Sequence, residues 1–133
     1  MIKVFLGGTC NGSTWRSELV KLLYINYFNP VVDDWTEECM EEEIRQRQLC
    51  NFSLYVVTPE MTGVYSIAEV VDDSNKRPKY TIFCILQRYN NLQFSDSEMR
   101  SLQNVGKMIV RNGGFYVNSL KEVANILNNI NED

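Results

Sequence analysis

Histidine is absent from this chain of 133 residues, and its absence excludes whole classes of site. Without an imidazole the protein has no Ser-His-Asp or Cys-His nucleophile, no histidine-ligated metal and no histidine general base. Zinc-type cysteine spacings are missing too, so we predict neither a metal site nor a cofactor. Proton transfer near neutral pH must then use carboxylates, tyrosine, cysteine or lysine.

Cysteines and long apolar runs are also scarce. The four cysteines form no C-x-x-C pair, and a chain of this size can fold without a disulfide framework. No run approaches the ~20 apolar residues of a membrane helix, and the apolar N-terminal run is too short for a signal peptide. We therefore expect a cytoplasmic protein with reduced thiols and no membrane partner.

Basic residues are missing between Asp33 and Glu43, a stretch that holds seven acids in a chain of net charge −4. Such a surface repels a phosphate backbone, so we expect no nucleic acid polymer as a partner. Most of the run is typical of a solvated helix face.

Short apolar runs alternate with helical stretches along the whole chain. The predicted strands are 2–6, 27–32, 52–57, 80–86 and 114–117, and helices follow from residue 13 and over 36–50, 65–74, 95–113 and 119–130. Continuous apolar strands between helices indicate a parallel sheet covered on both faces. We predict one α/β domain over residues 1–133, with a flavodoxin-like or Rossmann-like five-stranded sheet in the order 2-1-3-4-5.

The ligand site of such a sheet lies beyond the carboxyl ends of its strands, which points to the loops 7–14, 29–35 and 58–69. The first loop lacks the lysine of a phosphate-binding loop, so hydrolysis of nucleoside triphosphates is poorly supported. Its glycines, Gly7 and Gly8, allow the backbone to approach an anionic or polar ligand, with Thr9 beside them. A tight strand-to-helix turn explains the same glycines.

Carboxylates in the second loop and the helix after it are further candidates. Asp33 and Asp34 stand where they could bind hydroxyl groups or exchange a proton, although Asp34 also fits a helix cap with Glu37. Glu43 shares a helix face with Arg47. It is either an inward carboxylate held by that arginine or half of an exposed ion pair.

The third loop leads into a helix that carries Tyr65, Ser66 and Glu69 on one side. A carboxylate on the ligand side of this helix, with hydroxyls beside it that could hold it in place, is a candidate nucleophile. The alternative is an ordinary solvated glutamate.

The order and spacing of these residues resemble the nucleoside 2-deoxyribosyltransferase-like family over about residues 2–90. The matching residues are Gly7, Trp15, Asn29, Pro30, Asp34, Trp35, Glu43, Ser66 and Glu69. The resemblance implies a double displacement at the anomeric carbon of a nucleoside or nucleotide, as in retaining glycosidases. In that chemistry Glu69 is the nucleophile, and Asp34 or Glu43 protonates the departing base.

The resemblance also implies the partners of the site. The substrate is a small nucleoside or nucleotide, and the protein forms a homo-oligomer. We expect the substrate to contact Gly7, Gly8, Thr9, Trp15, Asn29, Asp33, Trp35, Tyr65 and Ser66.

The stretch from Met61 to Tyr65 departs from the better-known members, which have an Asp and a Gly-Thr pair here. This departure leaves simple N-glycoside hydrolysis, a 5′-phosphorylated substrate and a non-catalytic nucleotide-binding module open as alternatives.

Overall fold

The computed structural model describes residues 2–32 and 36–130. Its strands are β1 (Lys3–Gly8), β2 (Asn26–Phe28), β3 (Phe52–Val57), β4 (Thr81–Ile85), β5 (Arg88–Tyr89), β6 (Leu92–Gln93) and β7 (Phe115–Val117). Its helices are α1 (Trp15–Val20), α2 (Glu37–Leu49), α3 (Tyr65–Lys76), α4 (Asp96–Arg111) and α5 (Leu120–Asn128). Over these ranges no helix is both long and apolar enough to cross a membrane.

The main sheet of the described residues is parallel, with the strand order β2-β1-β3-β4-β7. This confirms the predicted α/β class and the order 2-1-3-4-5, because β7 is the fifth strand of that sheet. The apolar strands β1, β3 and β4 take the central positions, where helices cover both faces. Every residue of β3 is buried.

Alternate residues of the central strands point to opposite faces of the sheet and build two separate cores. The first, which we call the α1/α5 face, packs Leu54 with Trp15 and Leu127. The second, the α3/α4 face, packs Tyr55 with Val70. Neighbouring residues of β3 therefore belong to different environments.

The second strand is shorter and earlier than the predicted 27–32, so that prediction is corrected. It spans Asn26–Phe28 and pairs with the first half of β1. The chain then leaves the sheet because Pro30 has no N–H to donate to a ladder. There the side chain of Asn29 accepts a hydrogen bond from the backbone N–H of Val31 (3.0 Å).

Side chains that cap the helices fix where two of them begin. At the start of α2 the hydroxyl of Thr36 accepts from the backbone N–H of Cys39, whereas the sequence predicted a cap by Asp34. Asp34 itself lies outside the described residues. On α4 the predicted capping box of Ser95 and Glu98 is confirmed. Unlike α4, helix α2 contains no buried residue.

A two-stranded hairpin, β5–β6, lies after β4 and is absent from the sequence prediction. Its turn residues, Asn90 and Asn91, have φ of 50° and 66°, the left-handed conformation that asparagine tolerates in two-residue hairpin loops. Strands of two residues are too short to produce a detectable alternation, which is why the pattern missed them.

Candidate active site

A cleft opens at the carboxyl edge of the sheet, between the loop after β1 and the start of α3. Its volume is about 170 Å³, below the roughly 300–1,000 Å³ of pockets that enclose a whole drug-sized ligand, so it suits one part of a small molecule. The structure brings four predicted residues together here: Gly8, Thr9, Tyr65 and Ser66. The full lining is Gly8, Thr9, Cys10, Asn11, Val57, Met61, Thr62, Gly63, Tyr65 and Ser66.

Gly8 shapes the first loop. Its φ is +118°, and a Cβ there would lie 2.0 Å from the carbonyl oxygen of Val56. The next residue, Thr9, donates its backbone N–H to that same carbonyl (2.8 Å). The chain then turns tightly, because the backbone N–H of Ser13 donates to the carbonyl of Cys10 (2.7 Å), and Gly8 and Thr9 line the cleft.

Hydrogen bonds tie the first loop to the third. The Thr9 hydroxyl accepts from the backbone N–H of Thr58 (3.0 Å). The side-chain amide of Asn11 donates to the carbonyl of Glu60 (2.9 Å) and to the hydroxyl of Thr62 (3.1 Å). These contacts fix the two walls of the cleft relative to each other.

Trp15 and Arg16 support the first loop from beneath and do not line the cleft. Trp15 is fully buried, and its indole N–H donates to the carbonyl of Thr9 (2.8 Å). Arg16, only 5% exposed, donates to the carbonyls of Leu6 (2.9 Å), Thr9 (2.7 Å) and Gly8 (3.3 Å). Burial lowers the pKa of the Arg16 guanidinium.

Other predicted contact residues lie away from the cleft or outside the described chain. A Cβ on Gly7 would lie 2.7 Å from the ring of Tyr55, so Gly7 makes room for that ring. Asn29 is occupied in the turn after β2. Predictions for three residues fall outside the described ranges: Asp33, Asp34 and Trp35.

Glu69 lies one turn into α3, after Tyr65 and Ser66, and its side chain is only 12% exposed. The alternative of an ordinary solvated glutamate is therefore wrong. Its Oε2 lies 3.6 Å from Nε of Arg47. Within the described residues, no hydrogen bond joins the Glu69 carboxylate to the hydroxyl of Tyr65 or of Ser66. Burial raises the pKa of Glu69 to about 7; the charge of Arg47 opposes this rise, and Glu43 adds to it.

A polar network holds Arg47 in place from two elements, β3 and α3. Its Nε donates to the hydroxyl of Tyr55 (2.9 Å), and its Nη2 contacts Asp72 and Asp73, both at 3.1 Å. The Tyr55 hydroxyl donates in turn to Asp73 (2.6 Å). Burial, reinforced by Asp73, raises the pKa of Tyr55. Burial disfavours the charge of Arg47 and by itself lowers the pKa of the guanidinium. Its acidic neighbours have the larger combined effect, and the pKa is raised.

Glu43 lies one turn before Arg47 on α2 and is half-buried. Within the described residues no ion pair closer than 4 Å includes Glu43, so it is neither clamped by Arg47 nor half of an exposed pair. Burial raises the pKa of its carboxyl, and the charges of Arg16 and Arg47 oppose that rise. Glu43 is thus an inward carboxylate between two arginines.

This arrangement can support carboxylate chemistry. With a pKa of about 7, both the ionised and the protonated form of Glu69 are present near neutral pH. This property is typical of functional carboxyl groups. The ionised form can attack an electrophilic carbon, and the protonated form can donate a proton. No group of cysteines and acids within 2–32 and 36–130 is arranged to hold a metal ion.

Sequence reasoning missed Tyr55 and Asp73 and gave Arg47 only Glu43 as a partner. Two signals were available. A tyrosine interrupts an otherwise aliphatic stretch of a buried strand, and Asp73 follows Glu69 at the helical spacing of four residues. Neither signal shows that both side chains contact Arg47, which lies on the helix before them in the chain.

The hairpin also contributes contacts that the sequence did not predict. The side-chain amide of Asn90 donates to the carboxylate of Glu60 (3.3 Å), which also accepts from the hydroxyl of Ser13 (2.6 Å). The hydroxyl of Tyr89 lies 3.0 Å from that of Thr14. The hairpin therefore braces both loops that form the cleft.

The chain belongs to a known family. A family model described as nucleoside 2-deoxyribosyltransferase like matches residues 1–89 of the 133, and this confirms the resemblance found in the sequence. The matched part ends at the first strand of the hairpin, so it includes β1 to β4 and the whole cleft. Neither a curated protein nor a solved structure matches the chain.

Proposed function

We propose that this member of the family cleaves or transfers the N-glycosidic bond of a nucleoside through a covalent glycosyl ester on Glu69. The observation that carries the proposal is the position of Glu69. It is a mostly buried carboxylate one helical turn beyond two cleft-lining residues, Tyr65 and Ser66, and it is paired with a fixed arginine. We further propose that residues 1–133 act as one domain.

The first step of the proposed reaction forms one bond and breaks one. A carboxylate oxygen of Glu69 attacks C1′ of the sugar, and the bond from C1′ to the base nitrogen breaks. Its electron pair leaves with the base, which takes a proton from an acid. In the second step a nitrogen of another base, or water, attacks C1′, the bond from C1′ to the Glu69 oxygen breaks to release a carboxylate, and the deprotonated acid takes the proton of the attacking group.

Glu43 is the acid that the described residues support. Burial raises the pKa of its carboxyl, which favours the protonated form needed to donate to a departing base. Asp34, the other candidate, lies outside the described residues. In this scheme Glu43 gives its proton while Glu69 loses its negative charge to the ester, so the two carboxyl groups are never negatively charged at the same time during the step.

The charge of the cleft favours a substrate without a 5′-phosphate. Among the described residues that line it, none is lysine or arginine. The guanidinium of Arg16 already donates to backbone carbonyls, and that of Arg47 is held by carboxylates. We therefore expect a deoxynucleoside to react faster than its 5′-monophosphate, because no cation among the described lining residues would offset the charge of the phosphate.

We also propose, from the family, that the protein assembles with copies of itself. An apolar groove between α3 and α4, lined in part by Ile67, Val71, Leu102 and Val105, supports the proposal. Grooves of this kind commonly mark interaction sites. Light scattering during size-exclusion chromatography measures the mass of the assembly. A monomer at all concentrations would contradict the proposed homo-oligomer.

Chromatography of reaction mixtures tests the catalytic proposal. Purified protein is incubated with deoxynucleosides, with and without a free acceptor base, alongside Glu69→Gln and the control Glu41→Gln, an exposed glutamate of α2. New nucleoside only with acceptor indicates transfer, and free base without acceptor indicates hydrolysis. Intact nucleoside in every mixture, despite measurable binding, would contradict catalysis and favour a nucleotide-binding module.

A further inference from the structure

A single guanidinium meets three carboxylates on α3. Arg47 lies 3.6 Å from Glu69 and 3.1 Å from both Asp72 and Asp73. Asp72 also pairs with Lys76 (3.0 Å), but among the described residues Glu69 and the buried Asp73 form ion pairs with Arg47 alone. The ionised form of Glu69 therefore depends on a counterion that it shares with its neighbours.

We propose that Arg47 is the positioning residue of this site: anchored by Tyr55 and Asp73, it holds the Glu69 carboxylate ionised and oriented for attack. This inference rests on the proposed function, because it assigns Arg47 a task in the reaction of Glu69. It does not require Arg47 to touch the substrate.

The surroundings of Glu69 contain no substitute for this charge among the described contacts. From α2 it faces Arg47 and Glu43, from its own helix Asp73, and from β3 Tyr55. Of these groups only Arg47 is positive. Without it, the ionised Glu69 would face two acids and a neutral phenol in a mostly buried position, and its pKa would rise further.

Arg47 is held independently of the carboxylate that it serves. Its Nε donates to the hydroxyl of Tyr55 (2.9 Å), and its Nη2 also reaches the backbone carbonyl of Glu69 (3.3 Å). Gly7 leaves space for the ring of Tyr55. The guanidinium is therefore in place before Glu69 ionises, as preorganised electrostatic stabilisation requires.

Fastening α2 to the domain is not a sufficient explanation for Arg47. Other contacts already tie that helix down, since Gln46 accepts from the ammonium of Lys3 (2.9 Å). Arg77 donates to the carbonyls of Arg47 (2.7 Å) and Cys50 (2.8 Å) at the end of the helix. A purely structural Arg47 would affect folding but not the pH at which Glu69 becomes active.

The pH dependence of kcat/KM for a deoxynucleoside tests the inference. We compare Arg47→Gln with the control Arg45→Gln, which loses only the exposed pair with Glu42. The acidic limb, where activity rises as Glu69 ionises, should move up by about one pH unit or more in Arg47→Gln, and activity at pH 6 should fall about tenfold or more. Arg45→Gln should keep the wild-type profile.

A charge-preserving variant separates position from charge. Arg47→Lys keeps the positive charge but loses the planar guanidinium, whose fixed donors bind several partners at once. Its acidic limb should stay close to that of the wild type while kcat falls. Arg47→Lys carries the test alone if Arg47→Gln does not fold, and wild-type kcat and KM in it would overturn the inference.

The two proposals fail in distinguishable ways. Full activity in Glu69→Gln would overturn the proposed function, whatever the arginine variants do. Inactive Glu69→Gln, together with a folded Arg47→Gln whose acidic limb has not moved, would overturn only the role of Arg47.

Discussion

The two faces of the sheet differ in what they bury. On the α1/α5 face, Leu54 packs among apolar side chains such as Leu127. On the α3/α4 face, the next residue of the same strand, Tyr55, places a hydroxyl into a network of charged groups. Both faces therefore contain an apolar core that stabilises the domain, and the α3/α4 face also contains the groups suited to chemistry.

Stability and activity therefore depend on different groups in this protein. Apolar burial stabilises the fold without regard to pH. The charged network instead keeps a carboxyl group partly ionised in a place that disfavours its charge. Substitutions in the α1/α5 core should therefore lower stability more than activity, and substitutions in the charged network should lower activity more than stability.

Glu69→Gln should give the largest effect on activity. Loss of the nucleophile should reduce kcat/KM by about a thousandfold or more. The protein should remain folded, because glutamine occupies the same volume without a charge. Steady-state assays and a thermal melt measure both quantities, and a variant that loses activity only because it unfolds would contradict the separation.

Leu54→Ala should lower stability and leave activity nearly unchanged. Leu54 is completely buried, so the cavity should lower the free energy of unfolding by about 2–5 kcal/mol. Activity per folded molecule should stay near the wild-type value. Urea unfolding and an assay at low temperature check the two parts, and a shifted pH profile would break the proposed division between the faces.

The stability of the wild type should fall as pH rises through 7. Glu69 has a pKa of about 7 in the folded protein, above its usual value of ~4.3 when unfolded. Its neutral form is favoured by folding, so this contribution is complete below about pH 4 and is lost as pH rises through 7. The loss is at most about 4 kcal/mol.

Urea unfolding at several pH values measures this loss. Glu69→Gln should remove that part of the pH dependence, while Glu41→Gln should retain it. Identical pH dependence in the wild type and in Glu69→Gln would show that Glu69 ionises in the folded protein as easily as in water.

Tyr55→Phe should have an intermediate effect on both properties. It removes the hydroxyl that links Arg47 to Asp73 and leaves a buried aspartate with one donor fewer. We expect a loss of about 1–3 kcal/mol in stability and a smaller shift of the acidic limb than in Arg47→Gln. Wild-type kinetics in Tyr55→Phe would mean that Arg47 needs no anchor.

Asn90→Gly should have the smallest effect. Glycine keeps the left-handed turn of the hairpin and removes one exposed hydrogen bond to Glu60, so stability should fall by less than about 1 kcal/mol. Asn91→Gly, its neighbour in the turn, is the matched control. A large rise in KM in Asn90→Gly alone would assign the hairpin to the substrate site.

The sequence was sufficient for the central strands because an apolar run such as Phe52–Val57 signals a strand buried on both faces. It was insufficient for β2, whose residues are partly exposed at an edge and end before Pro30. Helical spacing and family resemblance predicted Glu69 as a candidate nucleophile, and this role stays a prediction. The anchoring of Arg47 could not be predicted, because Tyr55 and Asp73 meet it only in the folded chain.

The mass of the protein during turnover shows whether Glu69 forms a covalent glycosyl ester. The enzyme is mixed with a deoxynucleoside, quenched with acid and analysed by intact mass and peptide mapping. We predict a species heavier by one deoxyribosyl group, with the addition on the peptide that contains Glu69 and absent from Glu69→Gln. Release of free base from a protein that never gains this mass, or an adduct on another residue, would contradict it.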